Sequence, residues 1–529
     1  MEVFEIVIAL LLLGAFLAAL ARRLATPYPA LVALAGAALA LTPGVPTLVL
    51  DPELALALFV APVLLDAAFD SSPRDLRANW QTIASLAVGA VALTIIVVAV
   101  VTRLLVPAIP WAAAIALGAI VAPPDAAAAT AVLRHLRPPH RLMVILEGES
   151  LFNDASALLI YRLAIGAVVT GFLAGWRVVP MLLFVTAGSI VLGFVLSRVM
   201  LFVSARISDV ATAVIVQFCG TFGVWLLAER LHLSGILTVV VFAITIARRT
   251  QDIIPARIRV PSYAVWEVAV FVLNVLAFIL VGFQLRSIVA RLDRDTWVDY
   301  AWVAVAVCAA TILARIVWVS GAAALSRWRC RAHRGDAPAP EDRVGLSRSE
   351  AAVVGWCGMR GTVTLAAALA IPTATASGAA FPYRDLIVFT AFAVVLGTLV
   401  LQGVTLRPIL ARLQLRDDGT VEREVQLARV ETLQAALAAL DTSETEAADL
   451  MRKRHEFLLR RAESERTGSP SLLEPADASA LLAAAAAERQ RLSQLREDGT
   501  IGDAAFQRVE QELDLEELDM EQFLRLNAF

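Results

Sequence analysis

Apolar stretches of about 20 residues recur from residue 3 to residue 413, and nothing else in the chain constrains its fold as strongly. That length of helix crosses the hydrocarbon core of a bilayer. No water is available there to satisfy bare amides, so continuous apolar runs of this length are expected to be helices. The runs fall near 3–21, 28–50, 53–70, 80–106, 111–133, 141–170, 178–203, 209–229, 233–247, 262–285, 298–325, 350–376 and 385–413. Hydrophobic residues make up 59% of the 529, and the mean hydropathy of +0.73 excludes a soluble domain of this size. The expected fold class is an all-α polytopic membrane protein with about 13 transmembrane helices.

Charge divides the chain in two. Residues 417–529 carry 25 acidic and 13 basic side chains, whereas 1–416 carry 23 acidic and 32 basic. The first part is expected to be the membrane domain. The second reads as a helical cytoplasmic tail, with amphipathic runs over 421–440, 444–466, 476–496 and 503–526. Arginine orients the spans. With the amino terminus outside, the cytoplasmic loops collect 19 arginines against 7 on the other side, and the tail lies in the cytoplasm. The four cysteines are scattered without metal or disulfide spacing. The amino terminus lacks the basic start of a signal peptide and is expected to be a retained first span.

Within the sixth run stands Leu146-Glu147-Gly148-Glu149-Ser150-Leu151-Phe152-Asn153-Asp154-Ala155. A charge at membrane depth costs at least a few kcal/mol, so these carboxylates point to function. Helical spacing puts Glu147, Ser150 and Asp154 on one stripe, with Glu149 and Asn153 on the stripe beside it. Glu147 either draws cations inward or reaches the headgroups. The fifth run contains Ala122-Pro123-Pro124-Asp125-Ala126, where two prolines remove amide donors and should break the helix. Broken backbone at this depth must be buried or line a cavity, which lets freed carbonyls face a cation beside Asp125. The twelfth run holds Gly355-Trp356-Cys357-Gly358-Met359-Arg360-Gly361, with an arginine too deep to reach water. The fifth and twelfth runs are each central to a triplet, a pattern that points to an inverted-repeat transporter with two broken crossing helices.

These residues carry a resemblance. Glu149-Ser150, Asn153-Asp154 and Gly358-Met359-Arg360-Gly361 resemble signatures of the monovalent cation–proton antiporters, in the bacterial, NhaP-like branch of sodium/proton exchangers. The family's usual Thr-Asp-Pro stands here as Pro124-Asp125-Ala126, which removes a hydroxyl and keeps the carbonyl of residue 124. The resemblance covers residues 3–413. It implies a cation held by Asp125, Ser150, Asn153, Asp154 and the Pro124 carbonyl, and a structural ion pair between Glu149 and Arg360. A Pro-rich run ending in an acid, here Ala61 to Asp66, is also shared. Asp66 is either a third acid at the site or a helix-end aspartate. The Asn-Asp pairing implies one-for-one exchange without net charge movement, and the family implies a homodimer.

Asp154 is the expected exchange carboxylate. Bare at the midplane it is costly, and either a proton or a cation neutralises it. Competition for one group, with movement allowed only when it is neutral, gives obligatory exchange. Oxygen donors suit a hard cation, so Na+, Li+ or K+ is expected as transported substrate only, with no cofactor and no nucleic-acid partner. A cation channel is the reading from another class. Hydrolase motifs of the form G-x-S-x-G or H-E-x-x-H are missing. The only lysine, Lys453, lies in the tail, so there is no phosphate-binding loop for ATP. His135 and His140 flank a cytoplasmic turn, as pH sensors or as further basic loop residues. Glu229 and Glu267 fall near expected span ends, where they can snorkel or cap.

Overall fold

The computed structural model describes the chain apart from residues 1, 25–27, 41, 43–53, 55, 134–137, 172–177, 290–293, 335–345, 416, 442–444, 468–474, 499, 501–502 and 526–529. Part of the second expected run and His135 lie outside the described residues. The chain forms two compact units, residues 1–417 and 418–529.

In the first unit the helices are α1 (Glu2–Leu24), α2 (Tyr28–Ala40), α3 (Ala61–Asp70, after a π-helical turn Leu56–Val60) and the short α4 (Pro73–Ala78). Next come α5 (Trp80–Leu105), α6 (Trp111–Val121), α7 (Ala126–Leu133) and α8 (His140–Thr170). They are followed by α9 (Val178–Ser204), α10 (Val210–Arg230), α11 (Gly235–Ile253), α12 (Ala256–Val289) and α13 (Arg294–Arg334). The unit ends with α14 (Arg348–Trp356), α15 (Thr362–Leu369) and α16 (Arg384–Leu413). Among the described residues seven helices are long and apolar enough to cross a membrane, and Ile8–Ala21, Tyr28–Ala40 and Trp111–Val121 are shorter apolar helices. The second unit holds α17 (Thr420–Leu440), α18 (Glu446–Thr467), α19 (Pro475–Glu497) and α20 (Asp503–Arg525).

Two interruptions organise the membrane unit. Pro123 and Pro124 have no N–H to continue α6, and the backbone leaves the helix from Ala122 to Asp125 before α7 begins. Glycines at 355, 358 and 361 weaken the helix, and residues 357–361 between α14 and α15 are not helical. Each interrupted pair lies between two long helices in sequence: α5 and α8 for the first, α13 and α16 for the second.

Buried apolar side chains form one large cluster that joins α5–α8 to α13–α16 and to α2 and α12. A second cluster joins α3, α10 and α11, and Leu151 of α8 belongs to it. Leu158 packs against both, so one stripe of α8 runs along the seam between them.

One span boundary differs from expectation. The tenth run was expected to start at residue 262, with Glu267 near its end. Helix α12 instead starts at Ala256 and continues through Pro261, which leaves Glu267 eleven residues inside it. Pro261, the sixth residue of α12, forgoes the bond that an amide there would give the Arg257 carbonyl, yet the helix continues through it. Glu267 borders a cavity of about 570 Å³, together with Asp66, Asp70, Gln217, Thr221 and Trp266.

Candidate ion-binding site

The two interruptions lie against each other and exchange hydrogen bonds. The Asp125 amide donates to the Met359 carbonyl at 2.7 Å, and Arg360 Nε donates to the Val121 carbonyl at 2.6 Å. Backbone groups released by one break are thus satisfied by the other, as buried polar groups require. The Arg360 amide donates to Thr398 Oγ1 at 3.0 Å, which ties the second break to α16.

Helix α8 passes alongside. Asn153 Nδ2 donates to the Pro124 carbonyl at 3.1 Å, and the Ala126 amide reaches Ser150 Oγ at 3.4 Å. A carbonyl oxygen has two lone pairs, so Pro124 keeps one for another partner. Asn153 is fully buried and its Oδ1 has no hydrogen-bond partner. An acceptor left without a donor in a dry interior costs about 1–3 kcal/mol, a deficit that a bound cation would remove. Asp154 is only 6% exposed and lies close enough to Asp125 for their charges to repel. Gly361 closes the other side. A Cβ there would overlap the Asp125 carboxylate, so only glycine leaves that side chain its place.

The structure therefore brings together Asp125, Ser150, Asn153, Asp154 and the Pro124 carbonyl. Asp66 stands elsewhere, on the lining of the 570 Å³ cavity, which none of those five residues borders.

Glu149 and Arg360 do not form the implied hydrogen-bonded pair, although the Glu149 charge still acts on Arg360. Glu149, 1% exposed, is held by Arg315 of α13, whose Nη2 lies 2.8 Å from Oε2 and whose Nη1 lies 2.5 Å from Oε1. Arg315 Nε also donates to the Val354 carbonyl at 3.0 Å. This two-pronged geometry is what a guanidinium offers a carboxylate. Arg360 takes another solution: its guanidinium bonds the carbonyls of Val121, the last residue of α6, and of Gly358, just past the end of α14. Carbonyls at helix carboxyl ends carry partial negative charge, and a cation is favoured there. Arg315 stands mid-run among apolar residues, the same signal that singled out Arg360.

Chemically, the cluster offers two carboxylates, an amide oxygen, a hydroxyl and a carbonyl, all hard oxygen donors suited to an alkali cation.

Comparison with known proteins identifies the family. Residues 8–412 match the transmembrane sodium/hydrogen exchanger family. An uncharacterised Na+/H+ exchanger of Mycobacterium tuberculosis is 31% identical over 98% of this chain and 96% of its own length. A sodium, potassium, lithium and rubidium/H+ antiporter of Bacillus pumilus is 32% identical over 74% of this chain and 59% of its own. Among solved structures, the sodium proton antiporter MjNhaP1 of Methanocaldococcus jannaschii at pH 8 superposes with a TM-score of 0.60 at 17% identity, covering 78% of this chain and 99% of that one.

Proposed function

The chain belongs to the sodium/hydrogen exchanger family, a multi-pass membrane cation–proton antiporter, and we propose that it exchanges sodium or lithium for protons by alternating access at Asp154. The observation that carries this reading is the unpartnered Asn153 Oδ1 in the cluster that Asp154 and Asp125 complete beside two crossed helix breaks.

Asp154 takes either a proton or a cation, and only the neutralised carboxylate lets the surrounding elements move. The cation, stripped of water, takes oxygens from Asp125, Ser150, Asn153 and Pro124. Asparagine at 153 adds no second titratable charge, which supports one-for-one exchange without net current. Asp66 serves as the acid that receives hydrated cations from its cavity. Thirteen spans built as an inverted repeat give alternating access about this centre. The amino terminus lies outside, residues 417–529 lie in the cytoplasm, and the protein works as a homodimer in the cell membrane, in pH homeostasis.

Potassium/proton exchange at the same site is the second reading, favoured by the Bacillus pumilus relative, whose name includes potassium.

The test uses proteoliposomes loaded acidic inside. Sodium or lithium added outside should raise lumenal pH in the wild type and leave it unchanged in folded Asp154→Asn. A response to potassium that equals or exceeds the sodium response would transfer the activity to potassium/proton exchange. Exchange retained in Asp154→Asn would overturn the site.

A further inference from the structure

One charged cluster takes no part in the exchange chemistry. Arg162 of α8 places Nη2 2.8 Å from each carboxylate oxygen of Glu229, at the end of α10. Arg162 stands eight residues beyond Asp154, so Asp154, Leu158 and Arg162 share one stripe, with about 12 Å along the helix between its ends. This is the stripe at the seam, where Leu158 touches both apolar clusters. Arg162 and Glu229 therefore bridge the seam two helical turns above the exchange carboxylate.

The two halves of the bridge are unequally anchored. Glu229 Oε1 also accepts the Gly235 amide at 3.3 Å, and a Cβ at Gly235 would press on that oxygen and on the Trp225 ring. The turn beneath is closed by the Leu233 amide on the Ala228 carbonyl at 2.9 Å, and the Ser234 amide bonds Ser189 Oγ of α9 at 3.0 Å. The carboxylate is thus fixed to α9–α11, whereas the guanidinium sits on a flexible side chain of α8. The opposite face differs. There the ends of α3, α9 and α11 and the start of α12, marked by Asp70, Ser204, Thr250 and Arg259, surround the 570 Å³ cavity.

We infer that Arg162 and Glu229 form a lock that closes the route from Asp154 to the face opposite the cavity and must part once in each transport cycle. This rests on the alternating-access reading above. The pair is partly exposed, at 50% and 34% of its two side chains, so it is weak. Weakness suits a lock: an exposed pair biases a two-state equilibrium by at most about fivefold, enough to favour closure and little enough to open in every turnover.

The experiment uses the full chain in proteoliposomes, with Cys219, Cys308, Cys330 and Cys357 replaced by serine and Leu158→Cys introduced as a reporter. A membrane-impermeant maleimide is added on the Arg162 face. Glu229→Gln and Arg162→Gln should each raise the labelling rate, by up to about fivefold. In the background without the reporter they should lower the apparent KM for sodium on that face and raise it on the other. The exchanged pair Arg162→Glu with Glu229→Arg should restore both readouts. A merely structural bridge would change the amount of folded protein without opposite shifts in KM. Unchanged labelling in folded single variants overturns the lock. Faster labelling that the exchanged pair reverses sustains it even if no variant, nor the wild type, exchanges sodium, a result that would count against the exchange reading alone.

Discussion

A guanidinium held between helices is neutralised by a carboxylate or by carbonyl dipoles, and Arg315 and Arg360 divide these solutions. Arg315→Met leaves the Glu149 carboxylate buried and bare, so it should destabilise the protein by about 3–5 kcal/mol. Glu149→Met in the same chain should recover much of that loss, because a buried pair replaced by apolar side chains of similar volume is often neutral. The same second substitution should not rescue Arg360→Met, whose partners are carbonyls. Thermal unfolding of the purified variants measures all four; rescue of Arg360→Met but not of Arg315→Met would reverse the assignment. Gly361→Ala tests the ion site itself. Its backbone is extended, φ −128° and ψ −151°, so alanine brings no backbone strain, only a methyl group where the Asp125 carboxylate lies. The expected result is a raised KM for sodium from protein that still folds. An unchanged KM would show that Asp125 has room to move without consequence.

At the scale of elements, α4 and the start of α8 are joined outside the spans by Asp75. Burial pushes its carboxyl up, but hydrogen bonds with His140, Ser72 and Arg74 outweigh this and hold it below the usual carboxylate range. A lowered value in the folded state means stability that is complete above the unfolded carboxylate value of about 3.9 and lost as pH falls through the folded one. The stability advantage of wild type over Asp75→Asn should therefore be constant near neutrality and decline as pH falls into the acid range; an advantage that does not decline with acidification would contradict it. Elements also decide what the sequence reveals. Ser150, Asn153 and Asp154 were legible because polar groups at membrane depth are costly and helical spacing sorts them, and Asp125 because two prolines beside it break the helix. The partner of Glu149 was not, since Arg315 stands 166 residues away and only the tertiary fold, which lets its side chain reach α8, chooses between two buried arginines. Glu267 was misplaced because Pro261 reads as a helix boundary, while α12 continues through it. Arg162 and Glu229 needed the turn between α10 and α11 to bring them across the seam.

For the whole molecule, the division at residue 417 separates two kinds of stability. The membrane unit holds a large buried cluster and every residue of the ion site. Among the described residues of the acidic unit the buried apolar side chains are few: Val430, Ala448, Ala462 and Leu492. Its visible ties are exposed ion pairs: Arg489 with Asp514 at 2.6 Å and with Glu517, and Arg452 with Asp441 at 3.5 Å. Such pairs contribute little to stability and are screened by salt. Residues 418–529 produced alone should therefore be helical by circular dichroism but melt broadly, at a lower temperature in 1 M salt than in dilute buffer. The chain ended after Asp417 should fold and keep sodium/proton exchange in proteoliposomes, because no site residue comes from beyond that point. Exchange lost from a folded, truncated chain would mean that the acidic unit is needed for the conformational step, since the ion cluster itself would be intact.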